Sequence, residues 1–194
     1  MALSRDGRLL AEAAQQTESR ATDALGMIEK VLADAKISRD AIEAIAVGLG
    51  PGSYTGIRAA IAVAQGWQLA RDVKLLGVSS ADSFAAQAQA EKIFGRVNVV
   101  IDAQRNEFYL ATWDICETAR EIVTPLKIVT AAEIAARQAA GEVLIGPKHG
   151  VPLFPQAAMI AQLADGRTDF CTGEQLEPIY LRETNFVKAG SGQV

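Results

Sequence analysis

Along the chain, short apolar runs closed by glycine alternate with longer stretches in which apolar residues return every three to four positions, a pattern of strands interleaved with helices. Residues 1–16 read as a hairpin, with MALS and RLLAEAA turning at Arg5, Asp6 and Gly7, because Asp-Gly is a strong turn signal. Residues 18–35 carry Ala21, Ala24, Leu25, Ile28, Val31 and Leu32 at helical spacing, which predicts an amphipathic helix lying on one face of a sheet. A short strand over 44–47 then runs into Gly48, Gly50, Pro51 and Gly52. Ser53, a good N-cap residue, opens a helix over 53–70. A strand over 74–78 and a helix over 81–90 complete a first α/β unit. Beyond Gly95 the pattern predicts strands over 97–102, 107–114 and 122–128, a helix over 131–140, a strand over 143–145 and a helix over 156–163. The chain thus divides into residues 1–94 and 95–188, followed by a Gly-Ser-Gly tail over 189–194 that is expected to be disordered.

The strand, glycine loop and helix over 44–70 form the centre of this arrangement. Such a turn aims backbone N–H groups and the positive end of a helix dipole at one point, which suits an anion. The spacing matches neither phosphate motif, however. There is no GK pair, since the only basic residue is Arg58, two beyond Gly56, and a GxGxxG begun at Gly48 or Gly50 would place its third glycine at Ser53 or Thr55. A tight turn with close helix packing accounts for the glycines equally well. In the helix itself Gly56, Ala60 and Ala64 recur every fourth residue, and Ala59, Ala62, Gly66 and Ala70 fill much of the remainder. A helix apolar nearly all round needs cover nearly all round, from the sheet on one side and from a helix or another subunit on the other.

Composition narrows the function classes. With 194 residues, 49% hydrophobic and 22% charged, the chain is ordinary globular material. A formal net charge of -4 argues against unaided binding of nucleic acid, which needs a basic surface. Cys116 and Cys171 are too far apart for a CxxC site, and two reduced thiols in a cytoplasmic protein are expected. Arg5, Asp6 and Arg8 interrupt any signal-like start, and no apolar run is long enough to span a bilayer.

The polar candidates for chemistry are Asp102, Arg105, Glu107, Arg58, Ser53 and Tyr54. Asp102 ends an apolar strand, a place where catalytic carboxylates occur and turn formers occur more often. The sole histidine, His149, lies in the loop over 146–152, so no Ser/His/Asp or Cys/His set assembles and no metal-ligand spacing is present. Glu18 and Asp23, five apart on a helix, do not stand side by side. No catalytic residue, cofactor or metal is expected.

The stretch GPGSYTGIR over 50–58, with LLGVSS over 75–80, is similar to the GPGS(F/Y)TGxR signature of the TsaB (YeaZ) family, the bacterial tRNA threonylcarbamoyladenosine biosynthesis scaffold. IDAQRNEFY over 101–109 resembles its DARxxEVY segment and PIYLR over 178–182 its PxYLR segment, so the resemblance runs from about Leu3 to Arg182. It implies an actin-like, duplicated α/β fold and a noncatalytic, cytoplasmic subunit. That subunit pairs with the catalytic paralogue TsaD, works with the ATPase TsaE, forms a homodimer when alone and meets tRNA only through the complex. The implied contact runs along the two helices over 18–35 and 53–70, through Arg20, Ala24, Met27, Ile28, Ser53, Tyr54, Gly56, Ile57, Arg58, Ala60, Ile61 and Ala64. Arg58 is open to either a charged contact there or an intrachain ion pair. TsaB-like chains begin with a further strand, carrying an IDTS-like segment, in the middle of the first sheet. Its absence here implies a start assigned too far downstream, a shortened chain or a rearranged sheet, the first being favoured. With that strand restored the two halves would share one order of elements. An actin-like nucleotide-dependent kinase or ATPase is the rival reading. The metallopeptidase label once attached to the wider glycoprotease family finds no ligand set here.

Overall fold

Asp6 and Gly7, at φ of 50° and 69°, turn β1 (Ala2–Arg5) back into β2 (Arg8–Glu12), an antiparallel pair with the mirror-image turn geometry that hairpins favour. The computed structural model describes residues 1–14 and 23–182. The hairpin and the paired motifs therefore fall within it, whereas the start of the 18–35 helix, Arg20 and the tail over 189–194 lie outside the described residues. α1 (Ala24–Ala35) is capped by Asp23, whose side chain accepts from the Gly26 amide at 2.8 Å, and it ends at Lys36 in the left-handed conformation. A short 3-10 turn (Arg39–Ala41) leads to β3 (Ala44–Gly48).

β3 runs through the glycine loop into α2 (Tyr54–Arg71), which returns the chain to β4 (Lys74–Val78), parallel to β3 with Ala44 opposite Lys74. α3 (Ser80–Ala90) then leads to β5 (Gly95–Asp102), β6 (Glu107–Ile115), β7 (Arg120–Thr130), α4 (Ala131–Ala139) and β8 (Val143–Gly146). These strands, with the two-residue β9 (Val151–Pro152), form a sheet in the order β7-β6-β5-β8-β9. Within it β5 is antiparallel to β6 and parallel to β8. Among the described residues the first half, in contrast, holds two separate two-stranded sheets, β1-β2 and β3-β4.

Alternation along β5 divides the second-half core. Val97, Val99 and Ile101 pack with Phe84, Ala85 and Ala88 of α3, while Val100, facing the other way, joins Leu110, Leu144 and Ile134 of α4. Burying Phe84 completely is worth about 1.5–3 kcal/mol. In the first half Val47, Leu75, Ile57, Ile61 and Ala64 form a third cluster between β3-β4 and α2.

α5 (Ala157–Ala164) packs against all four first-half strands, and also against α3. A Cβ on Gly48 would meet Ile160 of α5 at 3.0 Å, whereas its neighbour Val47 packs against α2. α2 and α5 therefore cover opposite faces of β3. Between β1 and β3 lies an apolar groove of about 860 Å³, with residues 1–5 along one side and 43–48 along the other. The chain after β9 thus returns to the first half, and Cys171 donates its amide to the Leu75 carbonyl at 2.9 Å. No helix among the described residues is long and apolar enough to cross a membrane.

Candidate functional site

The glycine loop is stitched into the fold on both sides. The Leu49 amide donates to Val78 and the Ser80 amide to the Gly50 carbonyl at 2.7 Å, so the turn is tied to β4 and to the start of α3. Ser53 caps α2 as its sequence predicts, accepting from the Gly56 amide at 3.3 Å. The Gly50-Pro51 peptide is cis, Gly50 has φ +90°, and a Cβ there would stand 2.6 Å from the Ile57 side chain.

Gly52 and Ser53 line one side of a cleft of about 280 Å³; Asp102, Gln104, Lys148 and His149 line the other. Its charged groups are paired with each other. Lys148 Nζ donates to Asp102 Oδ2 at 2.7 Å, and the Gln104 amide donates to Asp102 Oδ1, also at 2.7 Å. The lysine hydrogen bond first, and the amide second, hold the Asp102 carboxyl below the usual carboxylate range. Asp102 thus forms the turn that the three left-handed residues Gln104, Arg105 and Asn106 complete. His149 packs edge-on against Phe108 with ring centres 4.7 Å apart. Among the described residues no three His, Cys, Asp or Glu side chains gather as a metal site would require.

The helix residues assigned to a contact separate by face. Ser53, Tyr54, Gly56, Arg58 and Ala60 are exposed, and Ala24, Met27 and Ile28 of α1 are half-buried. Gly56 and Ala60, with Met27 and Ile28, line the apolar groove. Ile57, Ile61 and Ala64 are a correction: they are buried against β3 and β4, with Ala64 fully enclosed, and serve the core. Among the described residues Arg58 makes no ion pair. Its guanidinium lies 5.3 Å from the Tyr54 ring centre and donates to the Tyr54 hydroxyl at 3.0 Å.

A connection that the sequence does not announce is made by residues 179–182. The Ile179 amide donates to the Leu49 carbonyl at 2.8 Å, beside the glycine loop. Tyr180 stacks on Tyr54 at 5.4 Å, and burial raises its hydroxyl pKa above the ordinary tyrosine value. Arg182 then donates to the Ala103 carbonyl at 3.1 Å and pairs with Glu107, at the turn that follows Asp102. GPGSYTGIR, IDAQRNEFY and PIYLR, far apart in sequence, therefore meet at one corner of the molecule. Their spacing carries no signal of that meeting.

Several known proteins are similar to this chain in sequence and fold. The model of the family described as TsaD, tRNA N6-adenosine threonylcarbamoyltransferase, matches residues 12–166. The tRNA threonylcarbamoyladenosine biosynthesis protein TsaB of Escherichia coli strain K12 is 30% identical over 183 residues, covering 81% of this chain and 78% of its own. Its Haemophilus influenzae counterpart is 34% identical over 104 residues, which are 52% of this chain and 42% of its own. Among solved structures, YeaZ from Pseudomonas aeruginosa superposes with a TM-score of 0.75 at 28% identity, covering 93% of this chain and 92% of its own. A further structure, of an uncharacterized protein with similarity to peptidase YEAZ from the same organism, gives 0.77 at 29% identity and covers 93% of each chain. Because the family match takes in every element from α1 to α5 and the named relatives are TsaB proteins, the chain belongs to the TsaB (YeaZ) family.

Proposed function

We propose that this chain is a noncatalytic subunit in the biosynthesis of threonylcarbamoyladenosine in tRNA, acting by pairing with the catalytic paralogue TsaD in a cytoplasmic complex that also includes the ATPase TsaE. Family membership supports the pathway. The observation that carries the pairing is the exposed small-residue face of α2, where Gly56, Ala59 and Ala60 leave room for a helix to approach closely beside Met27 and Ile28 of α1. Without TsaD the same face serves a two-fold homodimer. An actin-like duplication fits the strand orders: β7-β6-β5-β8-β9 in the second half, and β2-β1 and β3-β4 flanking the groove in the first.

A nucleotide-dependent enzyme is the second reading, favoured by the cleft between the glycine loop and the end of β5. The pairing of its lysine with Asp102 weighs against that reading, because the cation is already neutralised. Light scattering behind a sizing column separates the two. The chain alone is expected as a dimer that gives way to a one-to-one complex with TsaD. Ala60→Glu, at an exposed position, is expected to abolish both associations while leaving the monomer folded. Full association by the variant would move the interface elsewhere, and tight binding of magnesium-ATP by the isolated chain would favour the enzyme.

A further inference from the structure

We propose that residues 176–182, a strap between the two halves, act as a clasp that sets the width of the cleft between the glycine loop and the end of β5, and that the cleft opens when Arg182 releases the 103–107 turn. The strap is rooted in the first half. The Gly173 amide donates to Gln68 Oε1 at 2.6 Å and the Gly173 carbonyl accepts from Gln65 Nε2 at 2.7 Å, so the chain enters the strap already fastened to α2. Leu176 is buried in the cluster between α2 and the β3-β4 pair, the Ile179 amide bonds the Leu49 carbonyl, and Tyr180 stacks on Tyr54. At its end the strap reaches the second half. There Arg182 donates to the Ala103 carbonyl at 3.1 Å and pairs with Glu107.

The walls of the cleft make no such link themselves. Among the described residues no hydrogen bond or ion pair joins Gly52 or Ser53 to Asp102, Gln104, Lys148 or His149; Ser53 caps its own helix, and Asp102 is engaged by Gln104 and Lys148 of its own wall. The glycine loop is tied instead to the start of α3, through the Ser80 amide, where the chain passes from the first half to the second. A tie at a chain crossing suits a hinge. What Arg182 holds is an unfavourable turn: Gln104, Arg105 and Asn106 stand at φ of 65°, 55° and 62°, a region that residues other than glycine seldom adopt, and three in succession need support from outside. A strained turn held by one guanidinium has two states, held and released. In the held state the cleft measures about 280 Å³, at the lower limit of the roughly 300–1,000 Å³ common for small-molecule pockets, and release enlarges it.

The clasp is independent of the pairing with TsaD, because both of its anchors lie in this chain, and its test uses the isolated full chain. Spin labels on Thr55→Cys, in the first turn of α2, and Ala132→Cys, in the first turn of α4, stand at exposed positions on the two sides; Cys116 and Cys171 are replaced by serine. Labelled chain is diluted into unlabelled chain, so that pulsed electron paramagnetic resonance reads distances within one molecule. With Arg182 in place a single narrow distribution is expected, and Arg182→Ala is expected to move it to longer distances and broaden it. Glu107→Gln, which leaves the Ala103 contact, is expected to give a smaller shift in the same direction and decides the matter should Arg182→Ala not fold. A second readout comes from the chain's three tyrosines, Tyr54, Tyr109 and Tyr180, which are neighbours at this corner. In 3-fluorotyrosine-labelled Arg182→Ala the Tyr109 resonance is expected to shift while those of Tyr54 and Tyr180 stay, since the strap remains with the first half. An unchanged distance distribution, a distribution already broad with Arg182 in place, or altered Tyr54 and Tyr180 resonances without any change in distance would each overturn the clasp.

Discussion

Gly50 and Gly52 sit two residues apart in one turn and answer different demands. Gly50 is needed by the fold, since its φ of +90° and its closeness to Ile57 leave no place for a side chain, whereas a Cβ on the exposed Gly52 would meet nothing closer than 3.8 Å. The sequence shows two glycines and cannot separate these roles, because the difference lies in backbone angle and in a side chain five to seven residues away. Asp102 was legible as a turn former, but its partner Lys148 was not, being 46 residues distant. The carboxylates also divide by environment. Asp82 is pushed up by burial, against the pull of Arg167 and Arg120, while Asp102 is pulled down by Lys148. The Asp102 contribution to stability is therefore present above the unfolded value of about 3.9 and is lost as the pH falls through the lower folded value. Asp82 has the opposite sign: its favourable protonated form is lost as the pH rises through a folded value above the ordinary one. Carboxyl carbon NMR is expected to show Asp82 titrating above Asp102, and a reversed order would contradict both environments. With Lys148 and Asp102 side chains 68% and 32% exposed, Asp102→Asn should cost less than about 1 kcal/mol at neutral pH.

At the scale of elements, most helices and strands could be read from periodicity, and β4 falls where the pattern places it, over residues 74–78. α2 was legible as a helix, but its inward face was not. Glycine and alanine surround it, so hydrophobicity alone does not choose between the Ile57-Ile61-Ala64 stripe and the Gly56-Ala60 stripe one residue away. β9 escaped because two residues around Pro152 carry no period. The 179–182 segment escaped for another reason: it pairs with no strand along its length and is held by isolated contacts with two distant turns. Arg182→Ala removes the donor to Ala103 and the partner of Glu107, and is expected to destabilise the chain by about 1 kcal/mol. The loss should appear as a lower melting temperature and as faster amide exchange confined to residues 103–107. An unchanged exchange pattern would mean that the left-handed turn stands without the strap.

At the scale of the molecule, the described residues form one continuous five-stranded sheet beside two sheets of two strands each, and the difference should be visible in unfolding. Each half carries one tryptophan near its core: Trp67 beside the α2 cluster and Trp113 beside the α3 cluster. Single-tryptophan chains made with Trp113→Phe or Trp67→Phe are expected to report different urea midpoints, Trp67 responding at the lower concentration. Coincident midpoints would show that the halves unfold as one unit. The alternation of elements made the α/β class legible, but it could not show that α5 packs on both small sheets and lines the groove between them. α5 lies late in the chain, at residues 157–164, yet it is the element that the hairpin and the β3-β4 pair share. During synthesis on the ribosome the hairpin and the face of β3 opposite α2 therefore stay uncovered until residues 157–164 have emerged, which prolongs the exposure of apolar surface on the nascent chain and suits it to a holding chaperone.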